Sequence, residues 1–123
     1  MILGIGLDLC DIRRIEGAIE REQFLKRVYT PREQARITSA AGVRRGEIAA
    51  GMFAAKEAVA KALGTGFDGF FADAVEILPD EKGRPVCTLY RGALERAGDA
   101  RVWVSITHES GMAAATAILE SGE

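Results

Sequence analysis

The residues best suited to chemistry in this sequence are a carboxylate and an ammonium group four positions apart. Glu57 and Lys61 lie in Gly46–Gly66, an uninterrupted run of helix formers, and their spacing puts them one turn apart on one helical face. A pair of this kind is usually a solvated ion pair, which stabilises an isolated helix by roughly 0.2–0.5 kcal/mol. The alternative is a half-buried site in which Glu57 binds a cation and Lys61 neutralises an anion such as a phosphate. The segment by itself favours the surface ion pair.

An acidic residue near the N-terminus is the second candidate. Ile2–Leu9 alternates in hydrophobicity, which is the period of a strand with one packed face. Gly4, Gly6 and Asp8 share one side of that strand. Because glycines allow another backbone or a ligand to approach closely, Asp8 at the strand's end is well placed to hold a metal ion. The alternative is that Asp8 or Asp11 only caps the next helix, a role that suits Asp11 better.

A single histidine and a glycine-rich connection are the remaining candidates for phosphate chemistry. His108 ends a predicted strand, where a lone histidine is most often structural. The same side chain could donate a hydrogen bond to a phosphate or guide a hydroxyl group. Gly64, Thr65 and Gly66 follow the helix-forming run, and their backbone could face a phosphate. Taken alone, neither feature identifies a binding site.

The helices that must position these residues follow from the hydrophobic periodicity. A long helix is predicted over Arg45–Leu63, with a core-facing stripe and, opposite it, a stripe that holds the carboxylate and the ammonium group. A shorter helix is predicted over Pro31–Ala41, because Thr30 and Glu33 form a capping box at its start. The core-facing stripe is Ile48, Met52, Ala55, Val59, Ala62 and Leu63, and the opposite stripe is Phe53, Glu57, Ala60, Lys61 and Gly64.

Alternating apolar residues predict further strands in the second half of the chain. These strands are Ala74–Leu78, Val86–Tyr90, Arg101–Thr107 and Met112–Leu119. Glu109-Ser110-Gly111 predicts a hairpin between the last two. Together the elements predict one α+β domain over residues 1–123, with a small antiparallel sheet packed on the long central helix.

Composition and charge exclude several classes of protein. A hydrophobic share of 48% with 28% charged residues is typical of a soluble globular chain, which we expect in the cytoplasm and not in a membrane. The N-terminus lacks the pattern of a signal peptide. The net charge of −2 does not favour nucleic-acid binding. Cys10 and Cys87 have no metal-type spacing and are interpreted as packing residues.

Three stretches resemble the holo-acyl carrier protein synthases in order, spacing and total chain length. They are G-I-G-L-D-L-C-D-I-R-R-I at Gly4–Ile15, F-A-A-K-E-A-V-A-K-A-L-G-T-G at Phe53–Gly66 and S-I-T-H at Ser105–His108. Glu76–Pro85 also resembles the central hairpin of that family, so the likeness covers essentially the whole chain. The resemblance implies the phosphopantetheinyl transferase fold and a homotrimer with active sites between subunits.

The activity implied by the resemblance is transfer of the phosphopantetheine arm of coenzyme A, the co-substrate, to a serine of apo-acyl carrier protein. The products would be holo-acyl carrier protein, used in fatty acid biosynthesis, and adenosine 3′,5′-bisphosphate. The family needs Mg2+, and its metal-binding acids correspond to Asp8 and Glu57. Lys61 is then expected to offset charge on the phosphoryl oxygens. Glu57, directly or through a metal-bound water, is our choice of base, with His108 as a supporting group near the phosphates.

The resemblance also assigns residues to the coenzyme A phosphates. Gly64–Gly66 is expected beside them. Many members of the family carry a basic residue immediately before the F-A-A-K-E-A run, where this sequence has Met52. Contact with the nucleotide phosphate is therefore assigned to Arg44, Arg45 or Lys56.

Recognition of the carrier protein is expected on the helix that follows the first motif. Arg14 and Arg21 lie seven residues apart on a common flank of this region. Acyl carrier proteins present an acidic surface, so the two arginines are candidates for a salt-sensitive contact. Most arginines in such a pattern are only solvated surface residues.

Two other functions use the same residues. A magnesium-dependent enzyme acting on a different nucleotide diphosphate would use Asp8 and Glu57 without needing a carrier protein. A non-catalytic binding module would engage a carrier protein through Arg14 and Arg21. Loss of an acid at position 8 or 57 would favour that module, and both acids are present.

Overall fold

Helices and strands alternate in blocks along the chain. The computed structural model describes residues 1–122, and Glu123, the last residue of the expected domain, lies outside them. The strands are β1 (Ile2–Asp11), β2 (Val75–Pro79), β3 (Pro85–Leu89), β4 (Arg101–Glu109) and β5 (Met112–Glu120). The α-helices are α1 (Ile12–Ala18), α2 (Glu22–Val28), α3 (Pro31–Ser39), α4 (Val43–Ala62) and α5 (Arg91–Ala97). Among the described residues, no helix combines the length and the apolar character that crossing a membrane requires.

The strands form two antiparallel sheets and not the one that the sequence predicts. One sheet has the order β1-β5-β4, and the other is the β2-β3 hairpin. Alternation identifies strands but carries no information about which strands pair, so the division was not visible in the pattern. The hairpin expected between the last two strands is confirmed. Its turn places Ser110 at φ 52° and Gly111 at φ 79°, the left-handed geometry that a tight hairpin needs.

Local capping chemistry determines where two helices begin. The Thr30 side chain accepts from the Glu33 amide at 3.2 Å, and the Glu33 carboxylate accepts from the Thr30 amide at 2.8 Å, which confirms the predicted capping box. The Asp11 side chain accepts from the Arg13 amide at 2.9 Å and caps α1. The capping role therefore belongs to Asp11, and Asp8 is free for another.

Helix α4 is buried on most of its circumference. It packs against β1, β5, β4, β2, α1 and α3. The predicted core stripe is buried at Val59 and Ala62, but Ala60, predicted for the opposite stripe, is buried as well. Buried alanines on both stripes and between them allow close packing on several sides of α4, so a helix with only one buried face is an incomplete description. The buried alanines are Ala49, Ala50, Ala54, Ala55, Ala58, Ala60 and Ala62.

Two glycines bring the backbone of β1 into direct contact with α4. A Cβ atom at Gly4 would overlap the carbonyl of Ala62, and one at Gly6 would overlap the carbonyl of Ala58. Two residues of a strand span about 6.6 Å and four residues of a helix about 6 Å, so strand and helix stay in step. The next residue on this side of the strand is Asp8, which is therefore held against α4.

The other side of β1 is open. Leu3, Ile5, Leu7 and Leu9 are 53%, 68%, 66% and 63% exposed, although their spacing is that of a packed strand face. Ile5 lies in one cross-strand row with Ile118 of β5 and Trp103 of β4, whose indole is also exposed. The three-stranded sheet thus buries its glycine side on α4 and presents an apolar side to its surroundings.

Candidate functional site

Asp8, Glu57 and Lys61 come together where β1 crosses α4. The ammonium group of Lys61 lies 3.1 Å from Asp8 Oδ1 and donates to the Leu7 carbonyl at 2.9 Å. Asp8 and Lys61 are 53 residues apart in the sequence, so the contact exists only because the glycine side of β1 lies on the helix. The Lys61 side chain is half-exposed. The predicted i to i+4 partner of Lys61 was Glu57, but its ion pair in the structure is with Asp8.

Glu57 is half-buried beside these two groups, and its environment disfavours its charge. Burial raises the pKa of the Glu57 carboxyl most, and the negative charge of Asp8 raises it further. The positive charges of Lys61 and Arg14 partly offset this rise in the pKa. A carboxylate of this kind accepts a proton more readily than an ordinary glutamate does, which suits a general base.

The donor set at this point fits a magnesium ion. Mg2+ prefers hard oxygen ligands and is usually held by one or two carboxylates together with waters and substrate phosphates. Asp8 and Glu57 supply two such carboxylates, close enough for the charge of one to raise the pKa of the other. Within residues 1–122, no cluster of three or more His, Cys, Asp or Glu side chains has the arrangement of a metal site. The remaining ligands would therefore have to come from phosphate oxygens and water.

A second group of predicted residues lies at the other end of α4. A cavity of about 180 Å³ there is lined by Arg44 and His108, with Glu47 between them. Glu47 Oε2 is 3.7 Å from His108 Nδ1, and Glu47 Oε1 is 3.9 Å from Arg44 Nη1. Glu47 and Glu57 are ten residues apart on one helix, which is about 15 Å along its axis. The structure does not bring His108 to the Asp8–Glu57 pair.

Lys56 and Arg45 do not line this cavity, and both make contacts with other parts of the chain. Arg45 donates from Nε to the Ala40 carbonyl at 2.9 Å and from Nη2 to the Thr38 carbonyl at 3.2 Å. It therefore satisfies the free carbonyls at the end of α3. The Lys56 side chain is 0% exposed. Its assignment to a coenzyme A phosphate is wrong, because no part of the ammonium group reaches the surface.

The ammonium group of Lys56 is enclosed in a fully paired network. It lies 2.7 Å from Glu33 Oε1, donates to the Ala72 carbonyl at 3.0 Å and also donates to the Val75 carbonyl. Glu33 Oε2 accepts from the Ile77 amide at 2.7 Å. Burial lowers the pKa of Lys56 and raises the pKa of Glu33, and each charge partly offsets the effect on the other. The network ties α4 to α3 and β2.

The glycine-rich connection follows α4 directly. Gly64 and Gly66 have φ values of 89° and 59°, and the Gly66 amide donates to the Ala60 carbonyl at 3.2 Å. The Thr65 hydroxyl donates to the Gly66 carbonyl at 3.2 Å. This turn begins within one helical turn of Lys61, so it lies on the same end of α4 as the Asp8–Glu57 pair.

The two arginines predicted for carrier recognition lie on aromatic rings. Arg14 is 5.9 Å from the Phe53 ring centre and Arg21 is 5.9 Å from that of Phe24. Two adjoining cavities of about 290 and 400 Å³ share Arg21 and Phe24 in their walls. Arg14 also lowers the pKa of Glu57, so this basic and aromatic groove begins next to the carboxylate pair.

Sequence reasoning did not single out several residues that the fold brings to these surfaces. Arg36 of α3 lines the cavity that contains Arg44 and His108. Phe24 lines both parts of the groove, and Arg27 lies 5.7 Å from the ring of Phe71 at its far end. The clustering of arginines in α1 and α2 was a signal for the groove. For Arg36 there was no signal, because its neighbours in the cavity come from distant parts of the chain.

Comparison with known proteins identifies the family of this chain. Residues 4–117 match the family model of the 4′-phosphopantetheinyl transferase superfamily. A holo-[acyl-carrier-protein] synthase of Solidesulfovibrio magneticus is 47% identical over 98% of this chain and 99% of its own length. The Listeria monocytogenes protein of the same name is also 47% identical, with the same coverage of both chains.

Solved structures show the same fold. The Bacillus anthracis holo-(acyl-carrier-protein) synthase, crystallised in complex with CoA (3′,5′-ADP), superposes with a TM-score of 0.86 at 34% identity and covers 98% of both chains. The Helicobacter pylori holo-[acyl-carrier-protein] synthase in complex with coenzyme A gives a TM-score of 0.81 at 29% identity, over 94% of this chain and 99% of its own. From the motif order, the fold and these matches together, the chain belongs to the holo-acyl carrier protein synthase family of the 4′-phosphopantetheinyl transferase superfamily.

Proposed function

We propose that this chain transfers the 4′-phosphopantetheine group of coenzyme A to a serine of apo-acyl carrier protein, in support of fatty acid biosynthesis. The observation that carries the proposal is the meeting of Asp8, Glu57 and Lys61 at one point of the fold. The relatives of the chain are named for this synthesis, and two structural neighbours were crystallised with coenzyme A or its nucleotide part. The expected single domain of residues 1–123 contains every residue that the proposal uses.

Glu57 is the base in this proposal. The carrier's serine oxygen attacks the phosphorus that bears the pantetheine arm, and Glu57 takes the proton of the serine hydroxyl. The bond from this phosphorus to the bridging oxygen breaks, and adenosine 3′,5′-bisphosphate leaves with that oxygen. The position of Glu57 supports this role, because its half-buried carboxylate lies beside Asp8 and Lys61 at the proposed reacting centre. Glu57 takes the proton directly or through a bound water.

Asp8 and Lys61 complete the reacting centre. Lys61 places its ammonium group beside the two carboxylates, where it can stabilise negative charge on the transferred phosphoryl group. Asp8 and Glu57 would hold Mg2+, which supplies Lewis-acid stabilisation of the diphosphate when bound. The backbone of Gly64, Thr65 and Gly66 follows Lys61 and is proposed to lie beside the phosphates.

The nucleotide end of coenzyme A is proposed to lie in the cavity of Arg44 and His108. Its cationic groups suit a phosphate, and its apolar wall suits an adenine ring. Because this cavity and the Asp8–Glu57 pair lie about 15 Å apart along α4, one subunit does not present them as one compact site. We therefore propose that each active site combines the cavity of one subunit with the carboxylates of another.

A homotrimer provides such sites and covers the open side of the three-stranded sheet. Leu3, Ile5, Leu7 and Leu9 form a continuous apolar row that is more than half exposed in the subunit. Exposed apolar patches of this kind mark protein interfaces. A closed ring of three identical subunits buries this face without leaving an open end.

The carrier protein is proposed to dock on the groove formed by Arg14, Arg21 and Phe24. Two arginines held on aromatic rings offer charge to an acidic partner and apolar contact area at the same place. The groove begins beside Glu57, so a carrier seated on it would have its serine close to the base. This contact should weaken as salt concentration rises.

Intact-mass spectrometry tests the reaction. Apo-acyl carrier protein is incubated with this protein, coenzyme A and Mg2+, with an EDTA control. The expected result is a mass gain equal to one phosphopantetheine, which is lost with EDTA and with Asp8→Asn. No mass gain with several carrier proteins would refute the proposal and favour either a different nucleotide diphosphate substrate or a non-catalytic role. A gain that survives EDTA would refute the metal assignment alone.

A further inference from the structure

The cavity that holds Arg44 and His108 contains a third cation, Arg36 of α3. Arg44 and His108 both face the carboxylate of Glu47, at 3.9 Å and 3.7 Å. Arg36 makes no salt bridge with any residue of the described range 1–122, and Glu47 is the one carboxylate in the cavity wall. An anion that enters the cavity therefore meets one guanidinium group that carries an uncompensated charge.

The position of Arg36 is fixed by the start of its helix. One turn earlier, Glu33 closes the capping box and accepts from the Ile77 amide at 2.7 Å, and Ile37 is buried in the core. These contacts anchor α3 on β2, whose residues form another part of the cavity wall. The backbone at Arg36 is therefore ordered before a ligand binds, so binding requires ordering of the Arg36 side chain only.

The wall facing this charge is apolar. Ile48, Met52, Ile106 and Pro85 line the cavity, and Met52 is almost fully buried at 4% exposure. Met52, immediately before the F-A-A-K-E-A run, can therefore pack against an adenine ring but cannot bind a phosphate. Arg36 approaches the same space from a different helix and can supply what Met52 lacks.

We infer that Arg36 binds the phosphate monoester on the ribose 3′ position of coenzyme A. This inference rests on the proposed function, because it takes coenzyme A as the ligand of the cavity. A guanidinium group binds a phosphate through two parallel hydrogen bonds, and both partners are charged. Arg36 is then a binding residue that sets affinity for the phosphorylated nucleotide and takes no part in proton transfer.

Binding of two nucleotides by isothermal titration calorimetry tests the assignment without any turnover. Adenosine 3′,5′-bisphosphate carries the 3′-phosphate, and adenosine 5′-monophosphate does not. Arg36→Gln is expected to raise the Kd of the bisphosphate about tenfold, equivalent to about 1.4 kcal/mol. The Kd of the monophosphate should change less than about twofold, and Arg36→Lys should show a smaller loss for the bisphosphate because it keeps the charge.

Arg32→Gln is the matched control. Arg32 lies one turn earlier on α3, faces Glu76 at 3.5 Å and is not part of the cavity wall, so its replacement should leave both Kd values unchanged. Circular dichroism and the unfolding temperature check that each variant is folded. In steady-state transfer, Arg36→Gln should raise the KM for coenzyme A about tenfold, with kcat and the KM for the carrier within about twofold of the parent.

The outcomes separate this inference from the proposed function. An unchanged Kd for the bisphosphate, an equal loss for both nucleotides, or no binding of the bisphosphate by the parent protein would each overturn it. If the parent binds the bisphosphate through Arg36 but modifies no carrier protein, the proposed transfer fails and the phosphate assignment stands. If transfer occurs normally and Arg36→Gln binds as the parent does, the inference alone fails.

Discussion

Replacing Lys56 by methionine should destabilise the fold by about 3–5 kcal/mol, the usual cost of removing one partner of a buried ion pair. The ammonium group is 2.7 Å from Glu33 Oε1, and neither side chain has any exposure. Methionine fills a similar volume but leaves the carboxylate of Glu33 with only the amides of Thr30 and Ile77 as donors. The loss therefore comes mainly from an uncompensated buried charge.

The same variant should also show a pH dependence of stability that is wider than that of the parent. Burial raises the pKa of Glu33 above its ordinary value of 4.5, and Lys56 is the main influence that lowers it again. Without Lys56 the pKa of Glu33 rises further, so the folded state binds a proton over a wider pH range in which the unfolded state has lost it. The free energy of unfolding then falls as pH rises from 4.5 to the pKa of Glu33 in the folded variant. For one proton the slope is at most about 1.4 kcal/mol per pH unit.

Urea unfolding of the parent and the variant between pH 5 and pH 8 measures both effects. The expected result is a stability difference that is largest at pH 8 and smaller at pH 5. Lys26→Met is a matched control, because Lys26 and Glu22 form a pair of 2.9 Å that is exposed on both sides. The double variant Glu33→Gln/Lys56→Met should lose less than the sum of the single variants, by about 0.5–3 kcal/mol. Equal effects of Lys56→Met and Lys26→Met, or a pH-independent difference, would refute the reasoning.

Three further predictions concern the glycine contact, the base and the assembly. Gly6→Ala should reduce stability by about 1–3 kcal/mol and kcat/KM at least tenfold, because its Cβ would overlap the Ala58 carbonyl and displace β1. Unchanged values in urea unfolding and transfer assays would contradict this close contact. Glu57→Gln should raise the unfolding temperature at pH 7, because a half-buried charge beside Asp8 is removed, and an unchanged temperature would contradict this reason. Transfer by the same variant should fall at least about 100-fold, and retained transfer would contradict the base assignment. Ile5→Glu should convert a trimer into a 13.2 kDa monomer in light scattering, with loss of transfer, and a trimer that persists would place the interface elsewhere.

Features set by neighbouring residues could be predicted from the sequence. The capping box of Thr30 and Glu33, the cap at Asp11 and the turn at Ser110 and Gly111 all formed as expected. Each depends on hydrogen bonds or backbone angles within a few residues, so the amino acids involved carry the information themselves. Strand alternation predicted the strands for a similar reason, because the period of two is set by the strand's own backbone.

Assignments that needed a choice between similar residues on one helix were less secure. Lys56 and Lys61 both belong to the F-A-A-K-E-A-V-A-K run, and five residues of helix rotate the second about 140° away from the first. Lys56 faces the buried Glu33, whereas Lys61 faces Asp8 at the surface. Arg44 and Arg45 differ in the same way, since Arg45 turns to the end of α3 and Arg44 to the cavity.

Local residue patterns predicted the caps and turns, and the three motifs were sufficient to indicate the family. Which side of each element became a site depended on tertiary packing. Gly4 and Gly6 marked a face of β1 for close approach, but the carbonyls that they meet, those of Ala62 and Ala58 in α4, lie more than 50 residues away and cannot be predicted from local spacing. Burial in turn decided that Glu33, an ordinary capping residue by pattern, pairs with Lys56, and that Asp8 remains at the edge with Lys61. Long-range packing selects among locally equivalent side chains because desolvation and charge depend on every element that surrounds them.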